Sequence, residues 1–277
     1  MPVSEYELIL DQLQRLVPDW QSDEVNQVEF LEGGYSNNNF RLTYQQNDYV
    51  LRLPQIAQPF VDRQHESAWY TRLGQLANPR QQFVLPLALD PTTGAMLSPW
   101  VEGSLLVDCF DRQNLARSME ELGSYLQHLH SNLPDAQRNY DVAALTDSYG
   151  AVSRSVPFQP ATTVTCHNDL NPWNIIVTAQ GWVTLDWEFV GHNDPLFDLI
   201  CLHQGLELSD ESLADLIGLV QPDWLDDPLR IQGNLYNFWL REWSWADFQL
   251  QQGNQRAEIR NQAEVANRKL SKMSWRG

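Results

Sequence analysis

The hydrophobic pattern of the chain changes near Gly103, and this change most constrains the fold. Before it, apolar and polar residues alternate over short runs, which is typical of half-buried strands. After it, apolar residues recur at helical spacing over long segments. The pattern predicts an α+β protein with two lobes, a small β-rich lobe over residues 1–102 and a larger, mainly helical lobe over residues 103–277.

Turn and capping residues place the individual segments within these lobes. In the first lobe we predict helices over 5–17 and 61–76, and strands over 25–31, 40–44, 49–53, 83–89 and 95–101. In the second lobe we predict strands over 163–166, 175–177 and 183–185, and helices over 113–130, 195–206, 209–219, 228–252 and 254–274.

The net charge and the cysteine content limit the kinds of partner and compartment. Acidic side chains outnumber basic ones 36 to 18, and the formal net charge is −18. Nucleic acids and anionic membranes attract basic proteins, so we expect neither as a partner. The first residues lack the basic region of a secretory signal, and no apolar run reaches the roughly 18 residues of a membrane span. The three cysteines are not closely spaced and predict neither disulfides nor a zinc site, so we expect a cytoplasmic protein. The sequence does not indicate its oligomeric state.

The acidic residues are concentrated in one part of the chain. Residues 155–229 contain twelve carboxylates and no Lys or Arg. Such a stretch can be a solvated acidic face. It can also line a site that attracts a metal ion or a cationic substrate, and composition leaves both interpretations open.

The densest group of chemically useful residues lies between Cys166 and Asp186. Asp169 and Asn174 stand five residues apart in a loop, and Asp186 follows a short hairpin that returns the chain. Asn174 and Asp186 can therefore face the same point, and their amide and carboxylate oxygens are hard ligands that suit Mg²⁺. Asp169 is left to accept a proton from a hydroxyl nucleophile.

This segment resembles the catalytic and metal-binding loops of the choline kinase and aminoglycoside phosphotransferase family. Asp-Trp-Glu at 186–188 resembles the motif of choline, ethanolamine and thiamine kinases, and the continuation from Phe189 to Leu199 is most similar to bacterial choline kinases. The resemblance implies a bilobal protein-kinase-like fold, with ATP and Mg²⁺ as cofactors.

The resemblance also implies a role for each matching residue. Asp169 would be the catalytic base, and Asn174 and Asp186 would hold Mg²⁺. Asp198 would brace the catalytic loop through its backbone. His167 would orient the same loop by hydrogen bonding.

A glycine-containing turn between the first two predicted strands suits phosphate binding. Glycine has no Cβ, so backbone N–H groups can approach a phosphate, although a Gly-Gly pair between strands is also common in an ordinary hairpin. The resemblance places an arginine of the next strand at the phosphate-binding position, where a guanidinium can contact phosphate oxygens in a bidentate manner. It makes a glutamate of the following helix the partner of that arginine, with a solvated helix face as the alternative. The predicted nucleotide-binding residues are Gly33, Gly34, Ser36, Asn37, Arg52 and Glu66.

The segment 235–248 is rich in aromatic residues and is predicted to form part of one helix. Rings that share a helix face can simply pack between C-terminal helices. The resemblance offers a second interpretation, because choline kinases bind their quaternary ammonium among aromatic rings of a corresponding helix. A ring facing a desolvated cation contributes on the order of 0.5–2 kcal/mol. On that interpretation the substrate-binding residues are Trp243 and Trp245, with Glu188 and Asp194 as nearby anions.

Together these features predict an ATP- and Mg²⁺-dependent small-molecule kinase that phosphorylates the hydroxyl of a small cationic metabolite, with choline as the first candidate. Thiamine and ethanolamine are alternatives because related kinases share Asp-Trp-Glu, and an aminoglycoside substrate follows them. A non-catalytic nucleotide sensor on the same fold is a further alternative. Such sensors usually lack the base or a metal-binding residue, whereas Asp169, Asn174 and Asp186 are all present here.

Overall fold

The computed structural model describes residues 3–32, 36–55, 58–77, 82–150 and 157–273. The helices in these ranges are α1 (Val3–Leu16), α2 (Arg63–Leu73), α3 (Leu106–Cys109), α4 (Leu115–Asn132), α5 (Val142–Ser148), α6 (Pro195–Gly205), α7 (Asp210–Val220), α8 (Pro228–Gln251) and α9 (Ala257–Lys272). The strands are β1 (Val25–Leu31), β2 (Asn37–Tyr44), β3 (Asn47–Pro54), β4 (Ala88–Leu89), β5 (Met96–Pro99), β6 (Ser104–Leu105), β7 (Val164–Cys166), β8 (Ile175–Thr178), β9 (Gly181–Thr184) and β10 (Gly191–Asn193). Contacts group the chain into a first unit, Met1–Ser104 with Ile175–Glu188, and a second unit, Leu105–Asn174 with Phe189–Gly277.

The core of the first unit lies between α1 and one face of an antiparallel sheet with the order β1–β2–β3–β5–β4. Phe40 and Leu42 of β2 are both buried, because side chains two residues apart in a strand point to the same face. Ile9 and Leu13 of α1 are one helical turn apart and pack with them and with Leu51 of β3. This packing makes β3 a central strand with a fixed register.

Helix α2 carries a fully buried glutamate in the first unit. The Asp62 carboxylate caps the helix by accepting the backbone N–H of His65 at 3.0 Å. Trp69 and Leu73 lie four residues apart and are fully buried. Glu66 stands three residues before Trp69 on the same face, so the packing of these apolar residues takes its carboxylate out of water.

The β8–β9 hairpin belongs to the first unit, although it comes much later in the chain. The backbone N–H of Thr184 donates to the carbonyl of Gln82 at 2.9 Å. Directly after β9, the ring of Trp187 packs on Trp69 and Phe83, with centroid distances of 5.4 and 5.6 Å. No pattern in the sequence indicates that this hairpin returns to the first unit. The contacts that hold the hairpin in the first unit join residues that are distant in sequence, and such contacts leave no local pattern in the sequence.

The second unit is built mainly from helices. In α4, Leu122, Leu126 and Leu129 lie on one buried face, which packs on α7. Helix α8 packs on both α6 and α9. Strands β7 and β10 pair antiparallel, with Cys166 opposite Gly191. The segment that precedes the predicted catalytic loop and the segment that precedes α6 therefore lie side by side.

The structure confirms the α+β class and the mainly helical C-terminal part, but one predicted strand is wrong in its first part. Of the segment 83–89, only Ala88–Leu89 pairs in the sheet, whereas Phe83 makes an isolated bridge to Thr184. Pro86 has no N–H to donate to a strand ladder, which explains the interruption. The sequence pattern does not predict α5 or β10, because both are too short to show a period.

Among the described helices, none has both the length and the apolarity that crossing a membrane requires.

Candidate active site

Five charged side chains of the first unit form a connected group, named here the ion-pair network. Arg52 of β3 contacts Glu66 of α2 through Nη2 and Oε1 at 2.8 Å, and Asp186 through Nη1 and Oδ1 at 3.0 Å. The Nη1 of Arg63 lies 2.7 Å from Oε2 of Glu66 and 2.8 Å from Oε2 of Glu188. The structure therefore brings together Arg52, Glu66, Asp186 and Glu188, which the sequence analysis singled out, and adds Arg63.

The network has three carboxylates against two guanidinium groups, so one negative charge is in excess when all are ionised. Burial by itself lowers the pKa of Arg52, but the charges of Glu66 and Asp186 raise it above its ordinary value. Burial, together with the charge of Asp186, raises the pKa of Glu188 to about 8, despite the opposing charge of Arg63. Glu66 is completely buried between two arginines, whereas the Asp186 side chain is 30% exposed. Asp186 is thus the carboxylate of the network that solvent reaches most easily.

Asp186 has a conformation that only a few non-glycine residues adopt. Its φ is +56°, in the left-handed region where aspartate and asparagine are the most tolerated side-chain-bearing residues. Arg52 holds Oδ1, while no described residue bonds to Oδ2. A carboxylate held on one oxygen and open on the other is suited to binding a hard cation such as Mg²⁺.

In the second unit, the chain after β7 forms the loop 167–174. The sequence predicts that this loop is catalytic, and it is named the catalytic loop after that prediction. Asn168 organises it from within. Asn168 has φ of +66° and is completely buried. Its Nδ2 lies 3.1 Å from the carbonyl of Cys166, 3.0 Å from that of Phe189 and 3.1 Å from that of Gly191. Its Oδ1 accepts from Asn193 Nδ2 at 2.8 Å. One side chain thereby ties β7 to the chain around β10.

Asp198 holds the same loop from α6. Its Oδ2 accepts the backbone N–H of His167 at 2.9 Å, and its Oδ1 accepts that of Asn168 at 2.7 Å. His130 of α4 contacts Oδ2 through Nε2 at 2.9 Å. Burial opposes ionisation, but the bond from His130 and the charges around it keep the pKa of Asp198 below its ordinary value. The His167 ring in turn accepts the backbone N–H of Asp169 at Nδ1, at 3.2 Å.

The carboxylate of Asp169 is 24% exposed, and the side chains that contact it include those of Asn171, Arg241 and Asn174. Asn171 Nδ2 donates to Oδ1 at 2.7 Å, and Arg241 Nη1 of α8 lies 3.1 Å from the same oxygen. Asn174 Nδ2 lies 2.9 Å from the backbone carbonyl of Asp169 and 3.3 Å from its Oδ2. Oδ1 is therefore strongly held, whereas Oδ2 has only a long contact among these bonds.

The orientation of Asn174 leaves an acceptor for a cation. Its amide nitrogen points to Asp169, and among the described residues no donor reaches its Oδ1. The short 3₁₀ turn Pro172–Asn174 and the bond from Asn174 N to Asn171 O, 2.9 Å, fix the side chain in this direction. Within the described ranges, Asn174 Oδ1 is thus a hard oxygen without a protein donor, the kind of ligand that Mg²⁺ prefers.

Two predicted substrate anions are engaged by arginines of their own unit. Asp194 is 1% exposed and caps α6 by accepting the N–H of Leu196 at 3.0 Å. Its two oxygens also accept from Arg230 at 2.6 and 2.7 Å and from Asn234 at 3.0 Å. These bonds fit an anchor for α6 better than the substrate-binding role predicted from the sequence. Glu188 is buried and paired with Arg63, which fits a structural role in the ion-pair network.

The remaining predicted residues fall in several places. Gly33 and Gly34 lie outside the described residues. Ser36 Oγ accepts from Gln58 at 3.3 Å, and the neighbouring Asn37 is buried at the start of β2. Trp243 and Trp245 are both half-buried on α8.

Sequence reasoning missed Arg241, Asn168 and Arg63. Arg241 is the only Lys or Arg between Arg230 and Arg256, within an aromatic segment, and a lone cation there was a usable signal. Asn168 stands inside the dense motif but has no charge to mark it. Arg63 lies three residues before Glu66, a spacing that brings side chains together on a helix but is also common on solvated faces.

Comparisons with known proteins bear on both the family and the fold. A model of the phosphotransferase enzyme family matches residues 27–233. Protein LicA of Haemophilus influenzae is 24% identical over 213 residues, which cover 67% of this chain and 60% of LicA, so the chain spans less than two thirds of that relative.

Several crystal structures are similar over almost the whole chain. Choline kinase LicA from Streptococcus pneumoniae has a TM-score of 0.75 at 18% identity, covering 97% of this chain and 99% of that one. A choline/ethanolamine kinase family protein from Mesorhizobium loti has a TM-score of 0.68 at 20% identity, covering 97% and 95%. Aminoglycoside phosphotransferase APH(4)-Ia, in a complex with ADP and hygromycin B, has a TM-score of 0.67 at 13% identity, covering 98% of each chain. At these identities the likeness establishes a shared kinase-like fold.

Proposed function

The chain belongs to the phosphotransferase enzyme family, and from this membership we propose that it transfers the terminal phosphoryl group of ATP to the hydroxyl of a small cationic alcohol, with choline as the first candidate. The observation that carries the proposal is the state of the Asp169 carboxylate. Oδ1 is fixed by Asn171 and Arg241, while the contact of Oδ2 with Asn174 is long, at 3.3 Å. An oriented carboxylate that stays partly exposed is the group that such a transfer needs.

Asp169 would align the hydroxyl of the alcohol and accept its proton on Oδ2 as the oxygen attacks the phosphorus. General-base action of this kind typically contributes about 10²- to 10⁴-fold in rate. The proton moves from the alcohol to the carboxylate, and the P–O bond to the ADP leaving group breaks as the new one forms. His167 and Asp198 hold the backbone that carries the base.

Asn174 and Asp186 are the proposed Mg²⁺ ligands, each through the oxygen that no described residue bonds. When bound, Mg²⁺ would neutralise phosphate charge and fix the phosphate oxygens for transfer. Arg52 is oriented by Glu66 and would contact phosphate oxygens. The other proposed nucleotide-binding residues are Gly33, Gly34, Ser36 and Asn37.

A cationic acceptor is favoured by the charges around the base. Asp169 and Glu242 share the single guanidinium of Arg241, so this group carries one excess negative charge when all three are ionised. Trp243 and Trp245 follow on the same helix and are half-buried, and they are the two candidates for a ring that faces the cation. Because they stand two residues apart on the helix, one of them and not both would do so. Choline is placed first because the Asp186-Trp187-Glu188 motif resembles choline kinases and because LicA of Streptococcus pneumoniae, a choline kinase, shares the fold.

The test is ADP release from Mg·ATP by the purified protein with choline, ethanolamine, thiamine and kanamycin. We expect choline to give the largest stimulation and Asp169→Ala to remove it. Faster turnover with thiamine, ethanolamine or kanamycin would make that compound the proposed substrate in place of choline, while the proposed phosphotransferase activity would stand. Tight Mg·ATP binding without stimulation by any alcohol would contradict the proposal and favour a nucleotide sensor.

A further inference from the structure

Arg241 makes contacts that the proposed reaction does not yet explain. Its side chain is 6% exposed, and it reaches from α8 to the catalytic loop of the same unit. The Nη1 atom bonds to the backbone carbonyl of Asn168 and lies 3.1 Å from Oδ1 of Asp169. A single nitrogen therefore contacts both the base and the carbonyl directly before it.

The guanidinium of Arg241 is itself held on several sides. Its carbon lies 5.3 Å from the ring centroid of Phe238 and 5.6 Å from that of Phe197. Its Nε donates to Oε1 of Glu242 at 3.0 Å, and the other oxygen of Glu242 accepts from Gln262 of α9 at 2.7 Å. Aromatic faces and a second carboxylate thus fix the cation before any substrate binds.

We propose that Arg241 is a positioning residue that holds Asp169 Oδ1 and thereby presents Oδ2 to the substrate hydroxyl, linking the aromatic helix α8 to the catalytic loop. This inference rests on the proposed function, because it assigns Arg241 a part in the same reaction. The residue acts through Asp169 and contacts neither phosphate nor alcohol in this role.

The chemistry of the guanidinium explains why an arginine suits this position. Its planar donors are fixed relative to one another, so contact with the Asn168 carbonyl also sets the direction of the bond to Asp169. A lysine keeps the charge but offers a single, freely rotating ammonium. A glutamine removes the charge and leaves the base with weaker hydrogen bonds. These two replacements separate orientation from charge.

Steady-state kinetics of Arg241→Gln and Arg241→Lys provide the first test, with the alcohol that is most active in the ADP-release panel. We expect kcat to fall about 10- to 100-fold in Arg241→Gln, since small misplacements of a reacting group have effects of that size. The KM for Mg·ATP should stay within about twofold, because positioning the base does not bind the nucleotide. Arg241→Lys should keep more activity than Arg241→Gln, and guanidinium ion at a non-denaturing concentration should partly restore Arg241→Ala.

Arg112→Gln is a matched control. Arg112 also donates to a backbone carbonyl of the second unit, Leu206 O at 2.8 Å, but it contacts no proposed catalytic group. We expect its kcat to stay within about twofold of wild type. A kcat for Arg241→Gln that is equally unchanged would overturn the proposal. So would equal losses in Arg241→Gln and Arg241→Lys without any guanidinium rescue, which would mark a purely structural residue.

Hydrogen exchange of the full-length protein gives a readout that does not depend on turnover. In Arg241→Gln we expect faster exchange confined to residues 166–174, because the bonds from the guanidinium to Asn168 and Asp169 restrain only this part of the backbone. If the wild type phosphorylates none of the alcohols, the proposed function fails, while exchange confined to this loop still supports the positioning role. Unchanged exchange in the loop, or faster exchange throughout α6 and α8, overturns the inference in either case.

Discussion

Asp169 and Asp186 show how the same side chain is given two different tasks by its surroundings. Asp169 has Oδ1 held by an amide and a guanidinium in the second unit. Asp186 ends the ion-pair network of the first unit, with a left-handed backbone and one oxygen held by Arg52. The first arrangement suits the proposed proton acceptor, and the second suits the proposed metal ligand.

Substituting each aspartate should therefore separate turnover from nucleotide binding. Asp169→Ala should lower kcat by about 10²- to 10⁴-fold, the usual contribution of a general base, while Mg·ATP still binds. Asp186→Ala should lower kcat as well and also weaken Mg·ATP binding by about tenfold or more, because a proposed metal ligand is removed. Turnover is measured by ADP release and binding by isothermal titration calorimetry.

The exposed Asp108 provides a control, since Asp108→Ala removes a carboxylate that the proposal does not use. Its turnover and Mg·ATP affinity should match the wild type. Full ADP release by Asp169→Ala would rule out its assignment as the base. Unchanged Mg·ATP binding by Asp186→Ala would remove that residue from the metal site.

Asn168 should matter for stability as well as for the site. Its Nδ2 donates to three carbonyls, those of the buried Cys166 and Gly191 and of the half-buried Phe189, and Ala at this position removes all three bonds. Unsatisfied buried groups cost about 1–3 kcal/mol each when nothing relaxes, so we expect Asn168→Ala to lower the free energy of unfolding by about 2–4 kcal/mol. Urea unfolding followed by tryptophan fluorescence measures this. The exposed Asn132, whose Nδ2 also donates to a carbonyl, should lose less than about 0.5 kcal/mol as Asn132→Ala, and equal losses at both positions would contradict the argument.

At the scale of elements, the sequence predicts well where a period is long enough to see. Helices α6, α7 and α8 and strand β1 lie within a residue of their predicted bounds. In α7 the buried residues recur at helical spacing, and Pro195 and Pro228 mark the first residues of α6 and α8. The predicted strand over 83–89 is interrupted by a proline, and β10 is three residues long. Such elements depend on tertiary partners rather than on their own pattern.

The residues of the candidate site likewise fall into those that local sequence predicts and those that depend on distant contacts. The position of Asp186 and the loop containing Asp169 follow from spacing within one short segment. The contact of Arg241 with Asp169 joins α8 to a loop distant in sequence, and no local rule predicts it. In the sequence nothing marks Asp194 as paired, and only the packing of α8 shows that its carboxylate forms a salt bridge with Arg230.

Asp198 links α6 to the catalytic loop, and its ionisation should be visible in the pH dependence of stability. Its pKa is below the ordinary value near 4 in the folded protein, so folding is favoured by the charged form. This contribution is present above about pH 4 and is lost as the pH falls through the lower folded-state pKa. Asp198→Asn should lower the free energy of unfolding by about 3 kcal/mol at pH 7, and the difference from wild type should shrink below pH 4.

Denaturant unfolding of both proteins between pH 7 and the lowest pH at which they stay folded measures this difference. The exposed Glu120 of α4 supplies the control, because Glu120→Gln changes a carboxylate at the protein surface. Its difference from wild type should be small throughout. A difference for Asp198→Asn that stays constant down to low pH would contradict the argument, because it would mean that the ionisation of Asp198 does not contribute to stability.

The charge of the whole molecule bears on how the substrate arrives. The net charge is −18, and the stretch without Lys or Arg contributes twelve carboxylates. Asp169, Asp186 and Asp198 of that stretch act at the proposed site, while Asp194 and Glu188 are neutralised by arginines. Most of the others, on α7 and around it, are exposed. Their combined field lowers the potential around the protein, which favours a cation over a neutral molecule of the same shape.

Salt should therefore slow the reaction of a cationic alcohol selectively. Raising NaCl from about 0.05 to 0.5 M shortens the Debye length from roughly 14 to 4 Å, which screens exposed charges from the site. At saturating Mg·ATP, we expect kcat/KM for choline to fall about threefold or more over this range. A neutral analogue with a tert-butyl group in place of the trimethylammonium group should change less than about twofold. Replacing the exposed Asp215, Asp223 and Asp226 by Asn should weaken the salt dependence for choline alone, because fewer distant charges remain to be screened. Identical salt dependence for both alcohols would mean that the acidic stretch is only a solvated face and that selection for a cation depends on the rings and carboxylates at the site.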